Sequence, residues 1–291
     1  MKKQSGLNPI HPGEMKRIRV DRRTRAVALS LFVGGAAAGC GGSEIEPEQS
    51  ASIQALMSRE AELEEARACV VAIAEANTDR LDNIDEVRAR LEPYVELLAD
   101  SFLTARRYDE VTLTQGTWKS LWFDDDDIGD RGFFSLDRST VYQVVEDGYY
   151  YNVAENQIRI FGIPAGTVHS FLKGNYQIVH PATDENFGEP RLNVIDLEFD
   201  QNRIRFGHIP SDRALRTLVD RVERQAVASI EVPGPKGITG ELWNLYIDAD
   251  LRIAAGVQDD NKGVQDLYIL RRATWAGPLA PYSERTEASC L

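Results

Sequence analysis

The chain reads as an α+β fold, mainly β, in which N-terminal helices precede an antiparallel β domain closed as a barrel or packed as a sandwich. Three observations carry this expectation. Apolar residues recur at helical spacing before about residue 108, β-branched and aromatic residues cut by Gly, Asn and Asp dominate afterwards, and the later runs are short and closely spaced.

The helical part comes first. Ile53, Leu56, Leu63, Ala66, Val70 and Ile73 keep to one face of a helix over Ile53 to Ala76, and Asn77-Thr78-Asp79 ends it. Asn83 with Glu86 three residues on is a capping-box-like start. Val87, Leu91, Tyr94, Val95, Leu98 and Phe102 continue an apolar face, with Pro93 expected to break or kink that helix or to start its second half. Residues 51–108 thus form an N-terminal helical region.

The β domain is expected over residues 109–275. Candidate strands are Gly116–Phe123, Ser139–Val145, Tyr149–Ala154, Gln157–Ile163, Val168–Leu172, Asn175–Val179, Leu192–Phe199, Arg203–Phe206, Gly240–Ile247 and Gln265–Arg271. Ile195, Leu197 and Phe199 alternate with Asp196 and Glu198, as a half-buried strand requires. Phe199-Asp200-Gln201-Asn202 is expected to join Leu192–Phe199 and Arg203–Phe206 as a hairpin. Ser211 is placed to cap one interrupting helix whose apolar face is Leu215, Leu218, Val219 and Val222. Residues 276–291 read as an irregular tail.

The first 39 residues read as a leader. Lys16, Arg17, Arg19, Arg22, Arg23 and Arg25 form a basic flank, and the apolar run from Ala26 to Ala38 is shorter than the roughly 20 residues a spanning helix takes. The stretch before Met15 lacks this pattern, which makes Met15 a second candidate start. The run ends Ala37-Ala38-Gly39-Cys40, which resembles a bacterial lipobox and implies acylation of Cys40; the other reading is ordinary cleavage with Cys40 incidental. Residues 40–50, with Gly41, Gly42, Ser43 and Pro47, read as a flexible tether. Gly41 follows the cysteine where an Asp would signal inner-membrane retention, so the expected location is the cell envelope, lipid-anchored, at the outer membrane facing the periplasm or the cell surface.

Charge narrows the partners. The leader carries eight basic and two acidic side chains, a net of +6, which leaves −19 on residues 40–291 out of −13 for the whole chain. That excess repels nucleic acid and anionic lipid alike. A membrane association must come from an attached lipid or from apolar contacts.

Of the three cysteines, Cys69 and Cys290 remain beside Cys40. Two readings stand: a bridge between them, or a buried helical Cys69 with a loose tail thiol at Cys290. No nucleophile, zinc, phosphate-loop or dinucleotide motif occurs, and His169, His180 and His208 lack metal-ligand spacing, so no enzyme, no cofactor and no metal is expected. Asp124 to Asp127, with Asp130, lacks the EF-hand spacing and reads as a solvated acidic loop.

Three segments carry a family resemblance. Gln115-Gly116-Thr117-Trp118-Lys119-Ser120-Leu121-Trp122 resembles the opening strand of the plastid-lipid-associated protein, or fibrillin, domain. Tyr246-Ile247-Asp248-Ala249-Asp250-Leu251-Arg252-Ile253 is similar to its late Y-L-D-x-D-L-R-I element, and Leu267-Tyr268-Ile269-Leu270-Arg271-Arg272 to its closing strand. The family's Arg-Gly after that element is Ala255-Gly256 here. The resemblance spans about Val70 to Arg272. It implies a lipocalin-like β-barrel that binds a lipid or other hydrophobic small molecule without catalysis. Trp118, Trp122, Tyr142, Phe206 and Tyr246 are the expected lining, and Asp250 and Arg252 the expected charged pair near the cavity. The alternative is a non-catalytic structural or interaction lipoprotein of the envelope, with these aromatics filling a packed core.

Overall fold

A computed structural model gives the fold and describes residues 47–78, 83–105, 113–124, 134–146, 148–179, 194–207, 212–233, 237–258, 266–273 and 286–290. Residues 1–46 and 47–291 separate as two units. Cys40, His11, His180, His208 and Ser211 lie outside the described residues, as do Asp125 to Asp127 and Asp130.

The described part of the second unit is mainly β: nine antiparallel strands in one sheet, with helices beside it. Helix α1 (Pro47–Ala76) and α2 (Ile84–Ala105) come first. α1 starts within the expected tether, at a proline, which has no amide hydrogen to waste at a helix start. α2 begins after Asn83, whose carbonyl accepts from the Val87 amide at 3.0 Å, and runs through Pro93 as one helix. Strands β1 (Gly116–Phe123), β2 (Phe134–Glu146), β3 (Tyr149–Ile160), β4 (Ile163–Val179) and β5 (Val194–Phe206) follow. Then come α3 (Asp212–Glu223), β6 (Ile230–Glu231), β7 (Thr239–Ile247), β8 (Leu251–Gln258), β9 (Asp266–Arg272) and a 3-10 turn, Glu287–Ser289.

Neighbouring strands run in the order β4-β3-β2-β1-β9-β8-β7-β5-β6, and β4 pairs also with β5. The pairings therefore return on themselves through eight strands, leaving β6 on the side of β5. Strand alternation then gives each strand an inward and an outward face. The inward cluster includes Trp118, Phe123, Tyr150, Phe199, Tyr268 and Leu270. Outward, Trp122, Leu251, Ile253, Leu267 and Ile269 pack under α1 and α2. Tyr142, Val144, Tyr151, Val153 and Phe171 pack under Leu215, Leu218, Val219 and Val222 of α3.

Several expectations are corrected. β3, β4 and β5 are each one long strand where two short ones were expected. In β5 a bulge explains this: Lys173 faces Gln201 and Gly174 faces Phe199, so Asp200 is the extra residue that breaks the alternation without ending the strand. Asp200-Gln201-Asn202 accordingly lies inside β5 and is no hairpin. β8 was not foreseen. The described end of the tail is docked: Cys290 forms a disulfide with Cys69, and both are buried in the core under α1 and α2. Asp124 is not a solvated loop residue. Its side chain is buried, bonded to Arg88 and to the Leu267 amide.

Candidate functional site

The seven expected ligand-binding residues do not share one face. Trp118 and Trp122 are four apart, and plain alternation would align them. The register shift between Ser120 and Trp122 turns Trp118 into the ring and Trp122 out under the helices. Tyr142 faces outward beneath α3. Phe206, at the end of β5, is 62% exposed. Tyr246 sits beside a second shift, between Asn244 and Tyr246, and packs against both the inner cluster and the helical one. Its ring meets Phe102 of α2 edge-on at 6.0 Å.

Arg252 stands at the centre of the inward polar groups. Leu251 and Ile253 on either side belong to the helical core, so Arg252 points the other way, with Ala254. It is fully buried. Its Nε donates to Asn244 Oδ1 at 2.7 Å and one terminal nitrogen to Gln143 Oε1 at 2.9 Å. Asn244 Nδ2 donates in turn to Thr114 Oγ1 at 3.0 Å, and Trp118 Nε1 to the Thr114 carbonyl at 2.9 Å. Tyr150, on β3, is buried too. Burial raises its phenol pKa above the ordinary value, while the charge of Arg252 acts the other way. A guanidinium is costly to bury unless hydrogen bonds hold it, and two amide oxygens do so here. The result is an apolar interior that carries one cation and a few oriented amides.

Asp250 is not Arg252's partner. It lies in the β7–β8 turn, and its charge acts on Arg272, together with that of Asp248. Burial lowers the Arg272 pKa and the two carboxylates oppose the shift. Asp248 builds the turn: Oδ1 accepts from the Asp250 and Leu251 amides at 2.7 and 2.8 Å. Its other oxygen accepts from Tyr246 at 2.8 Å and pairs with Arg67 of α1 at 2.9 Å. The D-x-D part of the motif is therefore a turn that clips the hairpin to α1.

Sequence reasoning missed Arg272, Gln143 and Asn244. Arg272 donates to the carbonyls of Ala249, Gln115 and Leu113 at 2.5, 2.9 and 2.7 Å, and its guanidinium lies 4.2 Å from the Trp118 ring centre. It covers one face of Trp118 and ties the end of β9 to residues 113–115. Gly116 makes this possible, because a Cβ there would lie 2.5 Å from an Arg272 nitrogen. Gln143 was detectable as an amide between Val141 and Val145 on the inward face.

Two further groups lie outside the ring. Buried His169 is 2.8 Å from Glu155 on the adjacent strand. A shallow crevice beside α3 is lined by Tyr151, Phe171, Lys173, Arg203, Val222 and Glu223. Among the described residues, no helix is long and apolar enough to cross a membrane. The chain matches no model of a known protein family, and a search of curated proteins finds no match either.

Proposed function

We propose that the ring of strands is a lipocalin-like barrel and that the chain is a membrane-anchored protein binding a lipid or other hydrophobic small molecule. The observation that carries this reading is the inward setting of Arg252. Eight strands enclose an interior of about the width that takes either packed side chains or one small ligand. A cation held by neutral amides among Trp118, Phe199, Tyr150 and Tyr268 favours an amphiphile with an anionic head. The likeness of the strand and D-x-D-L-R-I segments to the fibrillin domain supports the same reading, as does the lipobox-like end at Cys40. On this account Cys40 is acylated, the protein sits at the cell envelope on the outer membrane, and it performs no catalysis.

A fluorescent fatty acid titrated into the purified chain should bind with saturation. Arg252→Gln should weaken binding about tenfold or more while leaving the near-ultraviolet circular dichroism unchanged, because a charge-assisted hydrogen bond contributes about 1.5–3 kcal/mol. Binding that is absent, or indifferent to this substitution, would remove the head-group role. The anchor is tested by the intact mass of the chain extracted from membranes; a chain without an acyl mass on Cys40 contradicts it.

The second reading, a filled structural module, is favoured by one observation. Trp118 is fully buried, with one face under Arg272 and its N–H satisfied by Thr114, as in a packed core.

A further inference from the structure

We infer that the β3–β4 hairpin tip is a bilayer-docking finger that inserts Phe161 and its flanking isoleucines into the interfacial region of a lipid membrane. The inference uses the anchor reading for location but not the ligand reading.

The tip is a two-residue turn, with Ile160 paired to Ile163 across it. Phe161 and Gly162 both have positive φ, +51° and +77°, the requirement of the tight hairpin turn that matches strand twist. Asn, Asp or Gly usually fills such positions, and a bulky side chain there is an outlier. A phenylalanine at 161 thus opposes the local backbone preference. It finds no core in exchange: Phe161 is 78% exposed, Ile163 67% and Ile160 43%. The whole segment Ile160-Phe161-Gly162-Ile163-Pro164-Ala165-Gly166 is exposed and contains no polar side chain. Seven consecutive exposed residues of that kind fall outside the ordinary scatter of surface apolar groups and are a liability unless they serve a contact. Arg159, at the base, donates to the Gly162 carbonyl at 3.2 Å and braces the turn.

Shape, charge and the length of the preceding chain point to a bilayer as the occupant. The feature is convex, so it suits a fluid that closes around it, whereas a folded partner would need a matching groove. The charge of −19 on residues 40–291 denies the chain an electrostatic route to a membrane, leaving apolar insertion as the remaining surface contact. Finally, the lipobox-like end at Cys40 lies seven residues before α1, at most about 25 Å of extended chain, so an anchored protein stays near lipid. Aromatic and aliphatic side chains at a fixed turn are suited to the headgroup–acyl boundary.

The test places a depth probe at the tip. The full chain carrying Phe161→Trp is bound to phosphatidylcholine vesicles with brominated acyl chains, beside a control carrying Tyr149→Trp. Tyr149 starts the same strand, about 35 Å from the tip at strand rise. The Phe161→Trp emission should shift to the blue and be quenched by bromine, and the Tyr149→Trp emission should not. An unshifted, unquenched probe at 161 in vesicle-bound protein would overturn the inference. So would a lipid-free dimer in sedimentation that Phe161→Asp dissociates, because the tip would then join two copies of the chain. Acylation of Cys40, read by intact mass, reports on the anchor alone, so the two failures are distinct.

Discussion

The two outward faces of the ring are covered in different ways. Under α1 and α2 the cover is apolar and covalently closed: Val70, Ile73, Leu91 and Leu98 meet Leu251, Ile253 and Ile269, and the Cys69–Cys290 bond ties the end of the chain into that core. Asn77 and Arg90 both donate to Glu287, at 2.9 and 2.5 Å, and Tyr94 donates to the Cys290 carbonyl at 3.0 Å. Under α3 the apolar patch is smaller and a polar clamp finishes it. Tyr151 and Lys173 both donate to Glu223, and Arg216 pairs with Glu146 at 2.7 Å. The first face is thus tied by a covalent bond, and the second by non-covalent contacts that centre on the Glu223 carboxylate.

The largest break in this comparison should come from the disulfide. Its cysteines are 221 residues apart, and in the chain-entropy model closing so long a loop adds about 5 kcal/mol. Replacing both cysteines by serine should lower the denaturation midpoint by a corresponding amount, measured in guanidinium with the slope checked for two-state behaviour. Reductant should do the same to the native chain and nothing to the variant.

Core truncations come next. Ile253→Ala under the helices and Leu215→Ala in α3 each remove a fully buried side chain and should cost about 2–5 kcal/mol. Hydrogen exchange separates them: Leu215→Ala should raise exchange within α3 while leaving α1 protected, and Ile253→Ala should raise it in α1 and α2. Equal loosening of both layers by either variant would show that the faces are not independent.

The smallest effect is the clamp's response to pH. Burial would raise the Glu223 pKa, but bonds from Lys173 and Tyr151 and the charges of Lys173 and Arg224 outweigh it and hold the carboxyl below its ordinary value of 4.5. A depressed folded pKa contributes stability that is whole above the unfolded value and is lost as pH falls through the folded one. Exchange in α3 should therefore rise as pH drops below about 4.5, after correction for the intrinsic rate, and Glu223→Gln should flatten that profile. The carboxyl is partly exposed, so the clamp should contribute no more than about 1 kcal/mol.

Much of the architecture was legible because local pattern and tertiary role agreed. β1 was found with its observed ends, since Trp118, Trp122 and Phe123 sit between clear breakers. β8 escaped because Ala254-Ala255-Gly256 lacks the β-branched signal; its small side chains leave room beside Tyr268, whose ring a Cβ at Gly256 would approach to 3.2 Å. Arg252 was reached only through the likeness of its segment to the fibrillin D-x-D-L-R-I element, and the strand pattern did not mark it. The facing of Trp122 and Tyr246 was not, because each lies at a register shift that alternation does not reveal. The disulfide stayed open because spacing in sequence says nothing about Cα separation, which is 5.4 Å here.

The inner face differs from both outer ones in carrying a buried cation, and the proposed ligand binding rests on it. Native mass spectrometry of the full purified chain, before and after organic extraction, tests it most directly. A ligand-binding ring should carry a non-covalent adduct of lipid mass, removed by extraction and depleted in Arg252→Gln. A single adduct-free mass in the native chain, with no uptake of added fatty acid, would contradict it and leave the ring a filled structural module.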